Sequence, residues 1–174
     1  MKQLSVLLCA LIISFAANAQ NGAYSKGDKL LNVGVGLNSY YSGGLPFGAS
    51  FELGVTEDIS VGVNVDYLSH KYKAFGEYKF TALYFGARGS YHFNTLLNIE
   101  NEKIDVYAGA TLGYRSFTWS DDYTAGGLKN SYGSGVYLGI FAGGKYYFTD
   151  NIGAFVELGA IGSTNARIGL AVKF

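Results

Sequence analysis

The chain has 174 residues, and its 13 basic side chains balance its 13 acidic ones, so no field exists to attract a polyanion and nucleic-acid partners are not expected. Its length suits one domain. Twenty-five glycines, 15 tyrosines, 12 phenylalanines, one tryptophan and a single proline fit a soluble core poorly and a thin-walled closed sheet well.

Residues 1–19 read as a secretory signal, because Lys2 precedes an apolar run from Leu4 to Phe15 and Ala17-Asn18-Ala19 supplies an A-x-A cleavage pattern. Cleavage makes Gln20 the first mature residue and leaves 12 basic against 13 acidic groups, a formal charge of −1. Cys9 lies inside the apolar run after Leu8, the wrong place for a lipoprotein signal. Because Cys9 leaves with the signal, the mature chain offers neither a disulfide framework nor a thiolate metal site. The apolar run is too short to span a bilayer as a helix, so a membrane-resident mature chain must cross with strands.

Residues 20–174 then show eight period-two runs. The first alternates Leu31, Val33, Val35 and Leu37 with Asn32, Gly34, Gly36 and Asn38; the second sets Phe47, Ala49, Phe51, Leu53 and Val55 against Gly48, Ser50, Glu52 and Gly54. A Thr56-Glu57-Asp58 turn leads into Ile59, Val61, Val63, Val65 and Tyr67 over Ser60, Gly62, Asn64 and Asp66. The fourth run carries Leu83, Phe85, Ala87, Tyr91 and Phe93 opposite Tyr84, Gly86, Arg88, Ser90 and His92, and the fifth carries Val106 to Tyr114 opposite Asp105 to Arg115. Leu138, Ile140, Ala142, Tyr146 and Phe148 oppose Gly139, Phe141, Gly143, Lys145 and Tyr147 in the sixth; Ile152, Ala154, Val156 and Leu158 oppose Gly153, Phe155, Glu157 and Gly159 in the seventh. The last, Ala166 to Phe174, places Ile168, Leu170, Val172 and Phe174 on one face and Arg167 and Lys173 on the other. Long connections are expected at Ser39–Leu45, Ser69–Lys79 and Ser116–Ser134, and short ones after the second and sixth runs; the ten residues after the fourth run exceed that pattern and Ile161–Asn165 falls short of it.

Every charge within a run lies on the Gly/Ser face: Glu52, Asp66, Arg88, Asp105, Arg115, Lys145, Glu157, Arg167 and Lys173. An Arg or Lys facing lipid near the midplane costs about 2–4 kcal/mol, so this face is expected to line a lumen as a hydrogen-bonded polar network. By depth, Glu52 is expected to pair with Arg88, and Glu157 with Lys145 or Arg167. The opposite face sets Phe47, Tyr67 and Tyr114 at one rim and Tyr91, Phe93, Tyr146 and Phe148 at the other, the two aromatic girdles of a membrane barrel.

On these residues, together with Tyr146-Tyr147-Phe148-Thr149-Asp150-Asn151 and the terminal Leu170-Ala171-Val172-Lys173-Phe174, the chain resembles the small eight-stranded outer-membrane barrels of the OmpA/OmpX and opacity-protein type. The resemblance implies an all-β, eight-stranded antiparallel up-and-down transmembrane barrel in the outer membrane of a Gram-negative cell. It further implies a monomer, contacts with outer-membrane lipid and lipopolysaccharide, and a C-terminal signal, Leu170, Val172 and Phe174, read by the barrel-assembly machinery. Nothing follows the eighth run, so no peptidoglycan-binding domain is expected. The function implied is non-enzymatic, in envelope integrity or in surface interaction through loops. The alternatives are a narrow channel or lateral path for a small or apolar solute, a lipid A-modifying enzyme, and a soluble lipocalin-like barrel.

An enzyme needs a nucleophile and a base held together. Ser69 and His70, with Asp66 below, loosely resemble the sets of lipid A-modifying enzymes, but neighbours in a strand face opposite ways, so they can meet only if the loop begins before them. His92 reads as a rim or lumen histidine. Two isolated histidines with Asp121-Asp122 make no metal site, and the glycine-rich stretches precede no helix, so no cofactor is expected; Asp121-Asp122 can at best touch divalent ions held by lipopolysaccharide. Tyr40, Tyr41, Tyr72, Phe75, Tyr78, Phe117, Trp119, Tyr123 and Tyr132 give the loops a composition suited either to adaptable contact or to interfacial anchoring.

Overall fold

The computed structural model describes residues 23–41, 43–72, 78–119 and 133–174, so the signal segment, Phe75, Asp121, Asp122, Tyr123 and Tyr132 lie outside the described residues. Alternating side chains and tight polar turns produce eight antiparallel strands: β1 (Lys29–Gly36), β2 (Phe47–Gly54), β3 (Ile59–Tyr72), β4 (Tyr78–His92), β5 (Ile104–Trp119), β6 (Gly135–Tyr147), β7 (Ile152–Ile161) and β8 (Thr164–Lys173). Each pairs with the next, and β1 closes on β8 from Leu30↔Lys173 to Gly36↔Arg167, leaving a closed barrel. Lys29 and Phe174 exchange backbone hydrogen bonds (3.2 and 3.0 Å) and finish the closing seam.

The interior holds the charged side chains with one set of aromatic rings, and the exterior holds the aliphatic side chains with the aromatics of the two rims. Glu52, Asp66, Asp105 and Glu157 are at most 1% exposed, whereas Val33, Val63, Leu112, Leu158 and Leu170 are more than half exposed. Phe47 and Tyr67 are direct cross-strand partners on the outside, and Phe85 and Tyr114 form a second such pair at the same rim. At the opposite rim Tyr91 packs edge-on against Phe93, and Tyr146 against Phe148. Ile168 and Leu170 are exposed on the outside of β8, where Val172 is half-buried.

The glycines explain how so narrow a lumen holds rings. A Cβ at Gly169 would lie 2.7 Å from Phe155 Cε1 and 2.1 Å from the Val33 carbonyl oxygen, and one at Gly34 would lie 2.9 Å from Phe155 Cζ. The Phe155 ring therefore occupies the volume that side chains on β1 and β8 would fill, at the closing seam.

Three connections differ from expectation. The expected loop Ser69–Lys79 is mostly ladder, with Ser69↔Thr81, His70↔Phe80 and Tyr72↔Tyr78 in register, and β5 continues through Phe117 to Trp119. Backbone pairing above an apolar band needs no greasy face, so the alternation faded while the strands went on. The wall is consequently uneven: β3, β4 and β5 have 14, 15 and 16 residues against eight each in β1 and β2. The connection after β4, expected at ten residues and here eleven (93–103), is a compact turn in which Asn94 accepts from Val106 N–H (3.0 Å) and Leu97 N–H bonds Phe93 O (2.8 Å), leaving Leu96 and Leu97 exposed at the rim. The β7–β8 connection is two residues, because Gly162 takes φ +62° and lets Ile161 pair with Thr164.

Gly169→Val forces a branched side chain against both a backbone carbonyl and a packed ring. Overpacking of this kind costs about 1–3 kcal/mol, so the heat-modifiable folded fraction recovered after refolding in detergent falls relative to Gly89→Ala, whose Cβ meets only one atom, at 3.8 Å.

Candidate functional site: the charged plug of the lumen

The centre of the plug is a strut across the barrel. Arg88 on β4 donates from Nε to Glu52 Oε1 on β2 (2.8 Å) and from Nη2 to Glu157 Oε1 on β7, and its guanidinium lies 3.7 Å from the centroid of the Phe141 ring. Glu52 accepts further bonds from Ser60 (2.8 Å) and Ser90 (2.6 Å), and Glu157 accepts one from the Tyr107 hydroxyl (2.9 Å). Each carboxylate thus has a cation and hydroxyl donors, the condition under which buried charge is tolerated.

Two further pairs complete the network. Asp105 and Lys145 are register partners on β5 and β6, joined at 2.8 Å, and Lys145 lies 4.3 Å from the centroid of the Tyr107 ring. Arg167 on β8 reaches Asp66 on β3, which also takes the hydroxyl and the backbone N–H of Ser163 (2.9 Å for the latter). Glu52 and Arg88 do meet, but Glu157 pairs with neither Lys145 nor Arg167. Long side chains on opposite walls meet across the lumen, while ranking by depth alone favoured neighbours along the wall. Arg115 lies higher, within hydrogen-bonding reach of Tyr84 and 5.7 Å from the centroid of the Phe117 ring. Lys173 faces the lower end, 5.3 Å from the centroid of Tyr147.

The residues ahead of β1 seal that lower end, a feature the sequence pattern did not signal because they precede the first alternating run. Ala23 is buried against Tyr147, Phe155 and Ala171. Tyr24 stacks on His92 at 3.5 Å and 3° and donates its hydroxyl to Ile59 O (2.6 Å). Gly27 N–H bonds Gly54 O (2.9 Å), and Asp28 N–H bonds Ser25 O (3.2 Å) while its carboxylate accepts from Ser25 N–H (2.8 Å). Burial pushes the Asp28 carboxyl above its ordinary value, with Lys173 opposing the shift.

Beneath Tyr24, Ser60, His92 and Asp105 stand in the order of a hydrolase triad: Ser60 Oγ to His92 Nε2 is 3.0 Å and His92 Nδ1 to Asp105 Oδ1 is 2.7 Å. The proton directions are those of a structural network. The Glu52 carboxylate can only accept, so the single Ser60 hydroxyl proton is committed to it and is not offered to His92. Ser60 is also completely buried, out of reach of any ester. At the other end, Ser69 and His70 lie within β3 and face opposite ways, Ser69 towards Thr81 at 3.4 Å.

No protein-family model matches the chain, and no curated protein matches it. Solved structures do. The chain is similar to the outer membrane protein OprG of Pseudomonas aeruginosa (13% identity, 88% of this chain and 98% of that one, TM-score 0.58). It is also similar to the N-terminal β-barrel domain of P. aeruginosa OprF (20%, 87% and 100%, 0.50) and to a de novo designed transmembrane β-barrel (17%, 87% and 98%, 0.51). The fold is that of the small eight-stranded transmembrane barrels. At these identities the likeness covers architecture, and the interior residues are this chain's own.

Removing the strut by Arg88→Met leaves two buried carboxylates without their cation, a loss of about 3–5 kcal/mol. Urea unfolding in micelles shows the loss, and Glu52→Gln in the same background recovers part of it. For Asp28 the sign follows from its raised folded value: its contribution is present below the ordinary carboxyl value of about 4 and is lost as pH rises through the higher folded one. Asp28→Asn, which cannot ionise, therefore matches wild type in acid and exceeds it in stability towards neutral pH, read from unfolding midpoints across that window.

Proposed function

We propose that this protein is a sealed, monomeric outer-membrane barrel, non-enzymatic, that acts at the cell surface through the wall and loops on the side where β3, β4 and β5 rise above the aromatic rim. The observation that carries this reading is the Glu52–Arg88–Glu157 strut, which joins opposite walls at mid-lumen. It stands above a mouth stopped by Tyr24 on His92. A lumen crossed by buried ion pairs resists solute passage, which argues against the channel alternative; an exterior with more than twenty exposed large hydrophobics argues against a soluble barrel.

Above the rim, Phe80, Phe117 and Trp119 pack inward against Tyr41 and Tyr84, stiffening the raised wall. Rigid aromatics beneath Ser- and Lys-bearing strand edges suit recognition of an external surface. Lipopolysaccharide and outer-membrane lipid would surround the apolar band, and the assembly machinery would read Leu170, Val172 and Phe174 during biogenesis.

Purified protein in planar bilayers is expected to show no single-channel steps, and Arg88→Ala together with Glu157→Gln to introduce a leak; wild-type steps of porin size would reverse the assignment. Replacing Ser69–Thr81 with a two-residue turn is expected to leave heat-modifiable migration intact while abolishing the whole-cell surface binding that distinguishes the parent from a deletion strain.

A further inference from the structure

Arg115 is the exception in the interior. Arg88, Lys145 and Arg167 each hold a buried carboxylate, whereas among the described residues Arg115 pairs with none, and its buried Nε lacks a hydrogen-bond partner. Its register partner on β6 is Gly135, and a Cβ there would meet none of the described residues within 4 Å, so among them open space lies beside the guanidinium. Tyr84, level with Arg115 on β4, and Tyr137, two residues deeper than Gly135 on β6, stand beside it in edge-to-face contact at 5.1 Å.

A second observation stands next to it. The β6–β7 ladder begins at Phe141↔Gly159 and the β7 backbone stays beside β6 as far as Gly139, where a Cβ would lie 2.4 Å from Ala160 O, so Gly135–Leu138 pair with β5 and, among the described residues, enter no ladder on the other side. Tyr147 N–H bonds Lys103 O and Phe148 N–H bonds Ile152 O, so odd positions of β6 face β5 and even ones face the β7 side. Val136 and Leu138 therefore turn their backbone N–H and C=O groups to the open side. Val136 is level with Tyr114 of the aromatic rim, with Leu138 one pleat deeper, and their side chains are 73% and 67% exposed. Backbone outside a ladder at that depth costs several kcal/mol per group where it stays unpaired, which favours a polar ligand there.

The geometry points to a binding site for the anionic head of an amphiphile: oxygens of a carboxylate or phosphate on Arg115 Nε, in the space beside Gly135 and towards the open β6 edge, and an alkyl tail leaving over Val136 and Leu138 into the bilayer. An anion meets the uncompensated guanidinium, its oxygens are acceptors that a hydrocarbon tail lacks, and the apolar strip receives the tail. This goes beyond the surface role, which requires neither Arg115 nor the open edge.

Trp119, the single tryptophan of the chain, lies 5.1 Å from Phe80 in the aromatic layer above the site and reports on it. In nanodiscs of neutral lipid, its fluorescence is titrated with dodecanoate, dodecyl phosphate, dodecanol and inorganic phosphate. Saturable change is expected with one or both amphiphilic anions, the stronger one distinguishing a fatty-acid from a phosphoester source, and none with dodecanol or inorganic phosphate at matched concentration. Arg115→Gln is expected to weaken binding roughly tenfold or more, the worth of a charged hydrogen bond, with Arg115→Lys in between. Gly135→Phe, which fills the space without touching the charge, is expected to abolish binding while migration stays heat-modifiable. Undiminished binding in Arg115→Gln or Gly135→Phe overturns the site, as does equal binding of dodecanol or of inorganic phosphate. A tenfold gain in Asp121→Asn/Asp122→Asn also overturns it, by showing the guanidinium already neutralised.

Discussion

Burying ions in the middle of a sheet only eight strands around is the constraint under which everything else is arranged. Arg88 meets it by spanning the lumen to two carboxylates at once, and hydroxyls from Ser60, Ser90 and Tyr107 take up the remaining acceptor capacity. Such a network contributes less to net stability than its ion pairs suggest, because desolvation offsets much of the attraction. Its larger effect is on register: sliding one strand by a residue would turn Glu52 or Glu157 out towards hydrocarbon.

Strand number, order and sidedness were legible in the sequence because period-two alternation is a local property, and each inward charge shares a face with Gly or Ser. The partners of Glu157 and Arg167 were not, because a contact across the lumen depends on side-chain reach and barrel stagger, neither of which is written in spacing along one strand. The upward reach of β3 to β5 was hidden for a related reason: pairing such as Lys71↔Lys79 persists where the hydrophobic signal has ended. The stopper formed by Tyr24 escaped altogether, since a single residue ahead of the first run carries no periodicity.

The two ends of the lumen differ in kind. Lower down, Glu52, Glu157 and Asp105 have their cations and aromatic rings close over the ions; above, the aromatics are gathered first and, among the described residues, Arg115 is left without a carboxylate. The same asymmetry marks the wall, tall along β3 to β5 and short along β7, β8, β1 and β2. Among the described residues, a molecule entering the lumen from the taller side meets rings and the Arg115 guanidinium, whereas one entering from the other meets Tyr24.

That stopper has a bearing on how the molecule comes together. Tyr24 lies five residues before Lys29, whose backbone bonds to Phe174 join the two ends of the sheet. The ring that caps His92 is thus tethered to the strand that makes the final joint, while the groups it meets, Ile59 O and the imidazole, belong to β3 and β4. One short stretch of chain therefore serves both the seam and the lower mouth, so a change at Tyr24 bears on the strand that shuts the wall as well as on the groups it covers.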